Sequence, residues 1–283
     1  PALDDQVVAR ASAAVGAVAP AKWLAPGIAV DLDVEATLSA AEADARLRDL
    51  LADLAIDVHV QPIEGRRKRL LIADMDSTMI GQECIDELAA EVGLKVHVAE
   101  ITERAMRGEL EFEPALRERV ALLKDLPLDA IARVLDTRIT LTPGARELVQ
   151  TMRAHGAYCA LVSGGFTLFT GPVGERIGFN ENRANILEVA DGKLAGVVRE
   201  PILGREAKRE RLEQLTVELG LSMTETLAVG DGANDLAMIA RAGLGVAYHA
   251  KPKVAAEADA RVDHGDLTAL LYFQGYAATD FAA

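Results

Sequence analysis

Residues 69–78 read RLLIADMDST, and this stretch decides the fold. Leu70, Leu71, Ile72 and Ala73 run on without a polar break and then meet two carboxylates, Asp74 and Asp76. A short, continuous apolar run that ends in a polar loop marks a strand buried on both faces, as strands are in a parallel sheet. Three further runs repeat the pattern. Residues 158–162 end at Ser163-Gly164-Gly165, residues 226–229 end at Gly230-Asp231-Gly232, and residues 244–248 follow. Segments with helical periodicity, 145–155, 206–219 and 235–242, separate them. Strands alternating with helices predict an α/β, Rossmann-like parallel sheet covered on both faces, with ligands bound beyond the carboxyl ends of its strands.

Outward from this core the pattern changes twice. Residues 79–140 are helical, with Ile85, Leu88, Ala89 and Val92 on one apolar face and Phe112, Leu116, Val120 and Leu123 on another. So many helices in one crossover predict a helical cap at 79–140, inserted into a core of 66–78 and 141–283. The first 65 residues predict a small α+β module containing a βαβ unit: a helix at 7–18, a strand at 27–34, a helix at 35–54 and a strand at 56–60. Asp191-Gly192 between two apolar runs, 186–189 and 194–199, predicts a hairpin.

Composition narrows the function. The 283 residues carry 30 Lys+Arg against 44 Asp+Glu, a formal charge of −14. A surface this negative repels nucleic-acid phosphates and anionic lipid, so neither is expected as a partner. No run of about 18 apolar residues exists, which argues against a membrane-spanning helix. Asp4 and Asp5 stand where a signal peptide would be basic. Cys84 and Cys159 lie in apolar surroundings and fit buried thiols of a reduced compartment, so a cytoplasmic protein is expected. The five histidines are scattered, none at i,i+4 from another, which disfavours a zinc site.

The chemistry lies in three strand-end loops and one lysine. Asp74 and Asp76, two residues apart off a strand, can project to one side. Ser163-Gly164-Gly165 lets backbone N–H groups and a hydroxyl approach an anion. In Gly230-Asp231-Gly232-Ala233-Asn234-Asp235, carboxylates flank a tight glycine turn, an oxygen-donor set suited to Mg²⁺. Lys208 lies in a charged helical segment. Each piece alone is an ordinary loop or a solvated helix face. Together they crowd four carboxylates that repel one another unless a divalent cation and a lysine offset them.

In this order, DMDST, SGG, Lys208 and GDGAND resemble the four motifs of the haloacid dehalogenase superfamily of phosphohydrolases. Within it, DMDST followed by Glu83, with Met106, Phe112 and Arg119 in the inserted segment, resembles the phosphoserine phosphatases. The resemblance covers residues 69–271 without a departure at the motif positions, and it implies a phosphate monoesterase dependent on Mg²⁺. It makes Asp74 the nucleophile and Asp76 the general acid and base. Asp74, the Asp76 backbone carbonyl, Asp231 and Asp235 become metal ligands or their anchors. Ser163, Gly164 and Lys208 contact the phosphoryl group, Asn234 orients the phosphate or the water, and Glu83, Met106, Phe112 and Arg119 line the substrate pocket. Residues 1–65 fall where relatives often carry an ACT-like regulatory module, and this stretch is short for one.

The helical wheel agrees on Arg119. At about 100° per residue from Phe112, Leu123 falls near 20°, Leu116 near 40° and Arg119 near −20°, whereas Arg117 falls near 140°. Arg119 therefore shares the apolar stripe, where it either snorkels or meets a substrate carboxylate. Other readings stay open at this point. These are a phosphoacceptor without turnover, an amino-acid-binding regulator with a silent core, and a phosphatase or phosphotransferase for another small ester. Monomer and homodimer are equally open.

Overall fold

The structure, a computed structural model, describes residues 3–35, 37–106 and 109–282, without the side chains of Glu103, Ala105 and Met106. The N-terminal residues form α1 (Asp5–Val15), β1 (Lys22–Ala25), β2 (Ala29–Asp31) and α2 (Ala40–Leu50). Asp4 caps α1 through Val7 N–H, and Gly16, at φ 63°, ends it. Ser39 and Glu42 form a capping box that starts α2, five residues later than the expected 35.

Two expectations for this region fail. Residues 22–31 make an antiparallel hairpin about Gly27, at φ 72°, rather than one strand at 27–34. Residues 56–60 join no sheet, so no βαβ unit forms. Side chains engage this segment instead. Arg48 Nη2 donates to Val58 O at 2.6 Å, and the Asp57 carboxylate accepts the N–H groups of Asp263 and Gly265, each at 2.7 Å.

The core follows the sequence reading closely. Its first strand is β3 (Leu70–Ala73), followed by the helices α3 (Cys84–Glu91), α4 (Lys95–Met106), α5 (Phe112–Ala121) and α6 (Leu128–Thr137). Next come α7 (Ala145–Ala154), β4 (Tyr158–Phe166), α8 (Thr167–Ile177), β5 (Glu181–Asn185), β6 (Leu187–Ala190) and β7 (Lys193–Val198). The chain continues with α9 (Arg205–Glu218), β8 (Thr226–Gly230), α10 (Leu236–Arg241), β9 (Leu244–Tyr248), α11 (Pro252–Glu257), β10 (Ala260–Val262) and α12 (Ala269–Phe273). The six-stranded sheet is parallel in the order β10-β9-β8-β3-β4-β5.

Side chains alternate across β3, as a pleated strand requires. Leu71 and Ala73 join Leu148, Val149 and Met152 of α7 and Phe169 and Val173 of α8 on one face. Leu70 and Ile72 join Leu212 and Leu215 of α9 and Met238 and Ile239 of α10 on the other. With both faces covered, the polar loops are confined to the ends of the strands.

The four helices after β3 are tied to the core at two places. Residues 79–82 and 140–142 run antiparallel, with Thr142 N–H bonded to Met79 O and Gly81 N–H to Thr140 O. The Gln82 amide bridges to Thr140 as well, donating to its Oγ1 at 2.8 Å and accepting its N–H at 2.9 Å. The β6–β7 hairpin turns at Asp191-Gly192 with φ 50° and 74°, as two-residue hairpins prefer. It pairs with the loop before α6, through Asp125 N–H to Leu194 O and Leu194 N–H to Leu126 O, both 2.9 Å. No helix among the described residues is long and apolar enough to cross a membrane.

Candidate active site

Asp74 stands at the end of β3, buried, with Oδ1 accepting Met75 N–H and Lys208 Nζ, each at 2.7 Å. The chain then makes one wide turn, closed by Ile80 N–H to Met75 O at 3.0 Å. Inside it Asp76 is extended, and Ser77 adopts the left-handed conformation at φ 56°. A residue with a Cβ is held there at a cost of about 1–3 kcal/mol. The buried Thr78 donates from Oγ1 to Asp231 Oδ1 at 3.3 Å, joining the β3 loop to the β8 loop.

At the end of β8, Asp235 packs against its own loop. A Cβ on Gly230 would lie 2.3 Å from Asp235 Cγ, so only glycine fits. Gly232 N–H donates to Asp235 Oδ2 at 3.1 Å. Lys208, only 2 % exposed, reaches up from α9 and places Nζ 2.6 Å from Asp235 Oδ1. Carboxylate oxygens of Asp74, Asp231 and Asp235 lie within 4.8 Å of one another. Burial, together with the Asp74 and Glu83 charges, pushes Asp231 up to about 6, and burial beside Asp74 also raises Asp235. Burial opposes the Lys208 ammonium, but Asp235 and Asp74 outweigh it and hold the proton on.

The third loop corrects an expectation. Ser163-Gly164-Gly165 remains in β4, which runs on to Phe166, and α8 begins at Thr167. The reason lies next door: Phe166 pairs with Asn185 of β5 past an irregularity in the ladder. The buried Asn185 amide donates to Gly164 O at 2.8 Å, and its Oδ1 accepts Leu203 N–H at 2.8 Å. Asn185 thus fixes both the Ser163–Gly165 backbone and the approach to α9. The sequence reading missed it, because a polar residue in a polar edge strand gives no signal. A Cβ on Gly165 would lie 2.8 Å from Asp76 Oδ2 and 3.1 Å from Ser163 Oγ, so this glycine lets the two loops close up.

The inserted helices face these loops. Asp76 Oδ1 accepts the first N–H of α3, from Cys84, at 3.1 Å, and its carboxylate is not one of the three-carboxylate cluster. Burial and then the neighbouring Glu83 charge push Asp76 up to about 8. Glu83 is the residue before α3 but makes no capping bond. Its Oε1 instead accepts Ser77 Oγ–H at 2.7 Å. Although the residue as a whole is exposed, protein atoms crowd its carboxyl, and their desolvation raises Glu83 against the pull of that bond.

Arg119 is half-buried on α5, whereas Arg117 is exposed, as the wheel expects. Its Nε donates to Ala115 O at 3.1 Å and its Nη1 to Thr102 Oγ1 at 3.2 Å, both neutral oxygens. Glu83 and Asp86 are the charges it feels. Phe112, 39 % exposed, overhangs the core with ring atoms 3.7 Å from where a Gly164 Cβ would stand and 3.8 Å from that of Gly204. Arg117 pairs with Glu200 beside it. Asn234 is exposed on the β8 loop, and the Met106 side chain lies outside the described residues. Cys84 and Cys159 are free and buried.

Residues 71–240 match the haloacid dehalogenase-like hydrolase family. A phosphoserine phosphatase of Archaeoglobus fulgidus is 43 % identical over 233 residues, covering 82 % of this chain and 67 % of that one. The crystal structure of a probable phosphoserine phosphatase from Vibrio cholerae, unliganded, superposes with a TM-score of 0.76 at 40 % identity, over 89 % of this chain and 76 % of that one. A phosphoserine phosphatase solved as a phospho-aspartyl intermediate analogue gives 0.68 at 42 %, over 73 % and 99 %.

Proposed function

We infer the reaction from one premise: this chain belongs to the haloacid dehalogenase-like hydrolases. It is a phosphoserine phosphatase, hydrolysing O-phospho-L-serine to L-serine and phosphate. The observation that carries this reading is the meeting of Asp74, Asp231, Asp235 and Lys208 at parallel strand ends, beneath Glu83 and Arg119 of opposite charge.

The roles follow from the contacts. Met75 N–H and Lys208 fix one oxygen of Asp74, which orients its carboxylate for attack on phosphorus. The P–O bond to serine breaks as the Asp74 acyl phosphate forms, and Asp76, whose environment favours the protonated form, gives its proton to the leaving oxygen. Asp76 then takes a proton from the water that hydrolyses the acyl phosphate. Ser163 Oγ, the Gly164 N–H and Lys208 hold the phosphoryl oxygens, with Asn234 at the rim. Arg119 takes the substrate carboxylate and Glu83 its ammonium, against a wall that includes Phe112.

Three carboxylates against one ammonium leave excess negative charge in an all-oxygen donor set, which fits Mg²⁺. Asp74, Asp231 and Asp235 would hold it together with the Asp76 backbone carbonyl. When bound, Mg²⁺ supplies Lewis-acid charge to the phosphoryl oxygens. The chain reads as an N-terminal module (1–65), a core (66–78 and 141–283) and a helical cap (79–140), placed in the cytoplasm as the last enzyme of serine formation. The test is release of phosphate from phosphoserine with Mg²⁺ present, followed by acid quenching of enzyme treated with labelled substrate. Label on Asp74 supports the mechanism, and label on Ser163 refutes it.

A further inference from the structure

The Asp76–Ser77 turn contains a feature that the mechanism above does not use. Ser77 has φ 56° and ψ 5°, the left-handed region that glycine enters freely and that a Cβ resists. Nothing in the path of the turn itself asks for a side chain here, because glycine would reverse the chain equally well. The hydroxyl is therefore the reason for the residue, and it has one partner of consequence: Ser77 Oγ donates to Glu83 Oε1 at 2.7 Å. Ser77 N–H adds a second bond to the same segment, to Gln82 O at 3.3 Å.

Glu83 needs such a holder. Glu83 stands at the N-cap position of α3, where Ser, Thr, Asp or Asn would bond to the helix end, and makes no capping bond. The first N–H of α3, that of Cys84, goes to Asp76 Oδ1 instead. Without Ser77 the carboxylate would swing on three rotatable bonds at an exposed position. With Ser77, one carboxylate oxygen is pinned, and Glu83 stays near enough to Arg119 for the two opposite charges to act on each other.

We infer that Ser77 is a positioning residue for substrate recognition: its hydroxyl holds Glu83 for the ammonium group of the amino-acid ester, and the left-handed backbone at 77 is kept for that hydroxyl. This rests on the phosphoserine reading of the site. It makes the loop that carries the acid and base also the loop that sets selectivity for an amino acid.

The test compares phosphoserine with p-nitrophenyl phosphate, which has no ammonium group, in the unaltered enzyme and four variants. Ser77→Gly removes the hydroxyl and relaxes the backbone. Its KM for phosphoserine rises about tenfold or more, the factor for one lost hydrogen bond to a charged group. Its kcat for phosphoserine and its kcat/KM for p-nitrophenyl phosphate stay within about threefold of wild type. Its melting temperature does not fall. Ser77→Asn, which tolerates the left-handed backbone and offers an amide donor, recovers part of the KM loss. In a Glu83→Gln background, Ser77→Gly adds less than about twofold, since the two residues act through one contact. An unchanged phosphoserine KM in Ser77→Gly, or equal losses on both substrates, overturns the inference. A wild-type enzyme that does not prefer phosphoserine to p-nitrophenyl phosphate overturns the substrate reading itself, whereas a selective wild type with an indifferent Ser77→Gly overturns only the role of Ser77.

Discussion

The strand-end loops and the inserted helices face one another, yet they treat charge in opposite ways. In the loops, Asp74, Asp235 and Lys208 are buried, and each ionic contact is 2.6–2.7 Å long. Among the helices, Glu83 is exposed and Arg119 is half-buried against neutral oxygens, with no ion-pair partner among the described residues. Buried charges that satisfy one another make a rigid site independent of what the ester carries. Charges left without an ionic partner in the protein are available to a ligand, and their energy is released only on binding the right one. Phosphate chemistry thus belongs to the sheet edge, and recognition of the amino acid belongs to the helices.

The sharpest way to break this comparison is Asp74→Asn. It removes the nucleophile common to all esters, so phosphoserine and p-nitrophenyl phosphate should both lose at least about 10⁴-fold in kcat, with the far-ultraviolet circular dichroism unchanged. Retained turnover of either ester would place the nucleophile elsewhere.

Asp76→Asn tests the residue at the boundary, since Asp76 sits in a core loop but is held by α3. Loss of proton transfer costs about 10²–10⁴-fold with phosphoserine. The first step should suffer less with p-nitrophenyl phosphate, whose leaving group needs no proton. Burst measurements on the two esters separate this from a purely structural effect, which would reduce both alike.

Arg119→Ala addresses the helices alone. A lost ionic contact to the substrate carboxylate should lower kcat/KM for phosphoserine about 10²-fold and leave p-nitrophenyl phosphate within about threefold. Parallel losses in a folded variant would make Arg119 a packing residue and dissolve the contrast.

The smallest kinetic effect belongs to a region outside the pocket. Asp57→Ala leaves the backbone N–H groups of Asp263 and Gly265 without their acceptor, which should lower unfolding free energy by about 1–3 kcal/mol. Denaturant melts would show this loss while kcat/KM for both esters stays at the wild-type value. A matching fall in activity would tie the N-terminal residues to the site.

Legibility followed burial. Strands β3, β4, β8 and β9 were readable because each is a run of apolar residues, and the charges beyond them stand out against it. Strand β5, reading ENRAN, and the three-residue β10 escaped, because edge strands need less apolar surface. In the N-terminal residues the periodic signal competes with local chemistry: Ser39 delays α2, and side-chain bonds hold 56–60 out of any sheet. Within the pocket, the carboxylates and Lys208 declared themselves by residue type. Asn185 and Ser77 did not, since their importance lies in a partner and a backbone angle that only the folded chain supplies.

The order of the sheet has a consequence for synthesis. Strand β3 is made before the other five but lies between β4 and β8, whose residues start at Tyr158 and Thr226. As the polypeptide leaves the ribosome, its most apolar segment waits for neighbours encoded far downstream, and in the interval its two edges are open to pairing with other chains. The helices that follow β3 emerge during this wait and are the first partners available to shield it. Translation speed between Leu70 and Gly230 therefore sets how long the nascent chain depends on chaperones, a demand that the finished enzyme no longer shows.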